Sequence, residues 1–192
     1  MDRALVEKHR LARLATPSDL RVDVRADFSA ALTMLSADMF ALYIKARNFH
    51  RYMSGPQFRD CHLLLDEQGE RIFTTADIIA GQVSKICGAT LRSIGYIARL
   101  QQLLNDDADF VSPMETLVDL RDDNRRLAAL LRETHELCAG YNDFARTSPI
   151  EVWIDEAEHR TWFLFETLRQ LLQGIADGRA VSITAVAEAA DY

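Results

Sequence analysis

The sequence predicts an all-α fold, a four-helix bundle with one long crossover connection. Three observations lead there. Apolar residues recur in steps of three and four through four long runs, as buried helical faces require. Glycine and proline are scarce, 8 and 4 in 192 residues, and several of them punctuate those runs. No segment alternates polar and apolar residues in the way a half-buried strand does.

The first run begins at Asp27 and places Phe28, Leu32, Leu35, Met39, Tyr43 and Ala46 on one face. It ends near Met53, where Ser54-Gly55-Pro56 supplies a turn. The second run carries Phe58, Cys61, Leu65, Ile72, Ile79, Val83 and Ile86 and stops at Gly88. So short a link makes these two helices antiparallel neighbours. Two later starts share one signature, Ser112-Pro113-Met114-Glu115 and Ser148-Pro149-Ile150-Glu151, each an N-cap serine, proline at N1 and glutamate at N3. From the first, Leu117, Leu120, Leu127, Leu131 and Cys138 lead to Gly140; from the second, Trp153, Ala157, Leu164, Leu168 and Leu172 lead to Gly174. Between Gly88 and Ser112 the chain is too long for a hairpin. It therefore crosses over, makes the second and third helices parallel, and has room for a short helix over Ile97 to Leu104. The reading divides the chain into an N-terminal tail (1–26), a bundle domain (27–175) and a C-terminal tail (176–192).

Composition removes several function classes. At 48% hydrophobic and 27% charged, the chain fits one compact soluble domain. It has no uninterrupted apolar stretch of roughly 18 residues and no signal-type leader, so a cytoplasmic, non-membrane protein is expected, with nucleoid association left open. Cys61, Cys87 and Cys138 are isolated, which argues against a disulfide framework and a thiolate zinc site. A net charge of -7 argues against coating nucleic acid with the whole surface and suits a chain that attracts cations.

Metal chemistry is suggested by four residues. His50 precedes the first turn and His62 follows it, so an antiparallel hairpin brings their imidazoles to similar heights, with Asp66 one turn beyond His62 on the same face. Asp77 continues that stripe eleven residues later, about 16 Å away. One chain cannot bring both carboxylates to one ion. Two copies packed antiparallel across a two-fold axis can, each placing its Asp77 opposite the other's His62 and Asp66. Mixed imidazole and carboxylate donors suit Fe(II) or Zn(II).

The run from Ala37 to His50, then Ser54-Gly-Pro-Gln-Phe-Arg-Asp-Cys-His62-Leu-Leu-Leu-Asp66, resembles the signature of the Dps family, the ferritin-like proteins of DNA protection during starvation. The likeness continues through Leu91-Arg-Ser-Ile-Gly-Tyr-Ile-Ala-Arg-Leu, Asp109-Phe-Val-Ser-Pro, and Trp153-Ile-Asp-Glu-Ala-Glu-His-Arg-Thr-Trp-Phe-Leu, covering roughly residues 27 to 172. It implies a ferritin-like bundle, a hollow homododecamer, oxidation of Fe(II) by peroxide or oxygen, storage of Fe(III), and in some members DNA binding through basic tails. It also implies that His50, His62 and Asp66 act together as metal ligands and catalytic residues, with Asp77 supplied across the two-fold. A glutamate is expected one turn after that aspartate, and here the position is Gly81. Three readings follow: an active or impaired ferroxidase that stores iron, a structural or nucleoid-binding cage with a degenerate site, and a binder of Fe(II) or Zn(II) without turnover.

Two further features have candidate roles. In a cage, Asp155, Glu156 and Glu158 near the start of the last helix could line a cation-attracting pore. In residues 1–26, Arg3, Lys8, Arg10 and Arg13 are candidate DNA contacts, in a segment whose six basic and four acidic side chains give a net of +2. Trp153, Trp162, Phe163 and Phe165 read as core or subunit contacts.

Overall fold

A computed structural model describes residues 18–55, 58–108 and 110–176. Five helices follow one another among them: α1 (Val22–Tyr52), α2 (Phe58–Lys85), the short α3 (Ile94–Leu100), α4 (Pro113–Gly140) and α5 (Phe144–Ala176). The two most extensive contacts are α1 with α2 and α4 with α5, so the bundle is two antiparallel hairpins closed across α1–α4 and α2–α5. The crossover and α3 lie against α1.

The core contains most of the stripe the sequence marked. Phe28, Leu32, Leu35, Met39, Ala46, Cys61, Leu65, Ile72, Ile79, Val83, Ile86, Leu117, Leu120, Leu127, Leu131, Cys138, Trp153, Ala157, Leu164 and Leu168 are all buried. An 18-residue stretch of α1 reaches a mean hydropathy of 1.2, and half of it is buried against the other helices, as the central helix of a bundle requires. Phe58 and Leu172 depart from expectation. Both are exposed, each near one end of its helix.

Four boundaries also move. The first helix starts at Val22 rather than Asp27, because Val24, one turn before Phe28, is itself buried. The crossover helix begins at Ile94 rather than Ile97: Ser93 caps it by accepting from the Tyr96 N–H at 3.2 Å. It ends by Leu100 because the following N–H groups of Gln102 and Leu103 turn to the buried carboxylate of Asp38, which also accepts from the Gln102 side chain. The Ser112 capping box forms as read. The Ser148 one does not, since Asp143 caps the last helix one turn earlier, its side chain accepting from the Arg146 N–H at 3.3 Å, and Pro149 lies inside the helix.

The turn glycines divide by mechanism. Gly55 adopts φ +98°, which the chain reversal after α1 needs. Gly88 is needed for space: a Cβ there would lie 2.2 Å from Ser29 Oγ on α1, while the left-handed residue of that turn is Cys87, at φ 61°. Pro56 of the expected turn, Arg3, Lys8, Arg10 and Arg13 lie outside the described residues, as does the C-terminal segment from residue 177.

Candidate metal centre

His50 comes from the last turn of α1 and His62 from the second turn of α2. The hairpin stacks their rings, with centroids 3.6 Å apart and planes at 28°. His62 Nδ1 lies 3.1 Å from the His50 carbonyl oxygen. A carbonyl only accepts, so Nδ1 carries the proton and Nε2 keeps its lone pair for a metal. Phe58 covers the other side of His62, at 5.0 Å between rings. His50 is only slightly exposed, and burial, then the neighbouring His62 and Arg47, hold its pKa below the ordinary imidazole value, outweighing Asp66. The His50 ring is thus kept neutral at pH 7, the form that ligates.

Asp66 lies beside this pair, its carboxylate 3.8 Å from His50 Nε2. Its nearer partner is one the sequence reading did not consider: Arg47, on α1, donates from Nη1 to the same oxygen. The signal was available, because the register that pairs position 50 with position 62 also sets position 47 near 66. Asp77 is exposed on the same outward stripe of α2, and so are Glu70, Phe73 and Gly81. Phe73, between Asp66 and Asp77 on that stripe, is 47% exposed and packs on Phe40 and Tyr43 of α1. Among the described residues, no three His, Cys, Asp or Glu side chains of one chain gather closely enough to hold a metal ion. His50 and His62 are stacked and Asp66 lies next to His50, but the three must close further to share one ion, and Asp77 lies farther along α2.

The acids proposed for a pore take up separate contacts. Glu158 pairs with Arg132 of α4, Glu156 accepts a hydrogen bond from Thr75 of α2 at 3.2 Å, and Asp155 is exposed. Trp153 is core, whereas Trp162, Phe163 and Phe165 are 57%, 41% and 49% exposed and are not core.

Comparison with known proteins agrees with this architecture. Residues 29–173 match the family model described as a ferritin-like domain. A low temperature-induced protein of Nostoc is 26% identical over 129 residues, 67% of this chain and 72% of the relative. Among solved structures, an archaeal Dps homologue from Halobacterium salinarum superposes with a TM-score of 0.78 at 23% identity, covering 84% of this chain and 93% of that one. DpsC from Streptomyces coelicolor gives 0.78 at 20% identity, covering 82% and 92%.

Proposed function

Because the chain belongs to the ferritin-like domain family and has the fold of Dps proteins, we propose that it binds Fe(II), oxidises it slowly and retains Fe(III) inside a twelve-copy cage. The observation that carries this reading is the pair of imidazoles beside Asp66 on an exposed face that runs on to Asp77. Iron is the substrate. His62, with Nε2 free, His50 and Asp66 are its ligands from one copy, and Asp77 comes from the second copy of an antiparallel α2 pair centred between Glu70 and Phe73. Zn(II) fits the same donors and competes. Slow turnover follows from Gly81: with no carboxylate there, little holds two irons together while peroxide takes one electron from each. Removing Fe(II) from solution limits hydroxyl-radical formation, and protection of DNA follows from that whether or not residues 1–13 touch it.

The test uses the full chain. Anaerobic Fe(II) is added to the metal-free protein, then peroxide, and Fe(III) formation and mineral size are followed beside His62→Ala and Asp77→Asn. The expected result is retention of Fe(III) by the assembled protein, lost in both variants. Iron that oxidises and precipitates as it does without protein would sink the reading. A gel shift across a salt series, with and without residues 1–13, tests direct DNA contact through Arg3, Lys8, Arg10 and Arg13; a shift that survives the truncation excludes the tail.

A further inference from the structure

Arg47 reaches Asp66 along a path that the sequence keeps clear. Gly69 is buried in the middle of α2, where glycine costs about 1 kcal/mol of helix stability relative to alanine. A Cβ at that position would lie 3.1 Å from Arg47 Cδ, 3.9 Å from its Cγ and 4.0 Å from its Nη1. The arginine side chain therefore lies across the bare backbone of Gly69, held against α2 over its length, and its guanidinium ends on the Asp66 carboxylate. The arginine is only 26% exposed and the aspartate 48%, so the pair is part of the α1–α2 seam rather than two freely moving surface chains.

We infer that Arg47 is a built-in competitor for the metal. This rests on the metal reading above. Its guanidinium holds Asp66 when no divalent cation is bound and must give up that carboxylate when one binds, so it acts as a specificity-determining residue. Asp66 and Asp77 together offer two negative charges, and Arg47 cancels one. With the carboxylates discounted in this way, binding depends chiefly on His50 and His62. Ions that favour imidazole, such as Zn(II) and Co(II), gain over those that favour oxygen, such as Mn(II).

Equilibrium binding of Co(II) and of Mn(II) to the full chain decides this, in the wild type and in Arg47→Gln, Gly69→Ala and His62→Ala. Arg47→Gln removes the charge and keeps the length; Gly69→Ala alters no charge and pushes the arginine aside by a few tenths of an ångström. Arg47→Gln is expected to tighten Co(II) about fivefold, the equilibrium equivalent of a partly exposed ion pair, and Mn(II) by more, with a smaller change of the same sign in Gly69→Ala. Affinity unchanged or weakened in both, with binding still abolished by His62→Ala, overturns the competitor role and leaves the metal reading standing. Co(II) binding untouched by His62→Ala overturns the metal reading, and the competitor with it.

Discussion

The sharpest prediction concerns Gly81→Glu. Gly81 lies within α2, exposed, and a Cβ there meets nothing within 4 Å, so the substitution fits without rearrangement. On helix propensity alone it stabilises α2 by about 0.5 kcal/mol. Its effect on the site follows from register. In an antiparallel α2 pair that sets Asp77 of one copy opposite Asp66 of the other, position 81 falls opposite His62, because Gly81 lies four residues after Asp77 and His62 four residues before Asp66. The new carboxylate then arrives beside the His62 ring. At about 4 Å a unit charge pair is worth about 1 kcal/mol even in bulk water, so a divalent ion gains at least about 2 kcal/mol, or about 30-fold in affinity. Anaerobic Fe(II) competition against a chromophoric chelator measures the gain, and stopped-flow addition of peroxide should reveal a fast oxidation phase absent from the wild type. Unchanged affinity in an assembled Gly81→Glu protein, with Asp77→Asn still weakening binding, would refute the register. If neither substitution matters, the two-fold site is wrong.

Other outcomes follow from the bundle itself. Arg160 is buried in the core, its Nε bound to Asn124 while Nη1 and Nη2 lack partners, and burial pulls its pKa down to about 10. Replacing both partners of a buried polar pair with apolar residues of similar volume is often neutral or stabilising; Arg160→Met combined with Asn124→Leu should leave stability level or higher, and a loss of more than about 3 kcal/mol would contradict this. Burial holds the Asp38 carboxyl above its ordinary 3.8, despite hydrogen bonds from Gln102 and Leu103. The folded chain then binds the extra proton in the window above 3.8, and Asp38 favours folding increasingly as pH falls through it. Urea melts at pH 6 and pH 4 should show wild type gaining on Asp38→Asn, and a change of the opposite sign excludes the mechanism. The Cys138 thiol is buried and pushed up to about 11, so it should resist a thiol reagent at pH 8 until the protein unfolds.

How much of this the sequence displayed depended on the kind of signal. Core faces were legible because burial of an apolar stripe is a property of one helix, and Phe28 to Ala46 or Leu117 to Cys138 needed no knowledge of the partner. Helix starts were less secure because one signature has two outcomes. Ser112-Pro113 begins α4, but Ser148-Pro149 is overtaken by Asp143, and the proline is tolerated inside α5 near its start, where it removes a single backbone bond. The His50–His62–Asp66 grouping was legible from hairpin register alone. Arg47 was missed, since ligand types were sought on the facing helix while the cation that neutralises them sat one turn before His50.

The two glycines of α2 show why residue type alone decides so little. Gly69 points into the seam with α1, where an added Cβ would press against Arg47 Cδ at 3.1 Å, and Gly81 points away from the bundle, where it meets nothing. The first is a steric requirement of a contact already formed. The second leaves a gap that only another copy of the chain can make consequential. Both nonetheless reduce the negative charge available to a metal beside His62, one by admitting a cation and the other by omitting an anion. The resulting site depends on its imidazoles. Restoring the anion at position 81 and removing the cation at position 47 should therefore each tighten binding, and because both charges act on one ion the double variant should depart from the sum of the two effects.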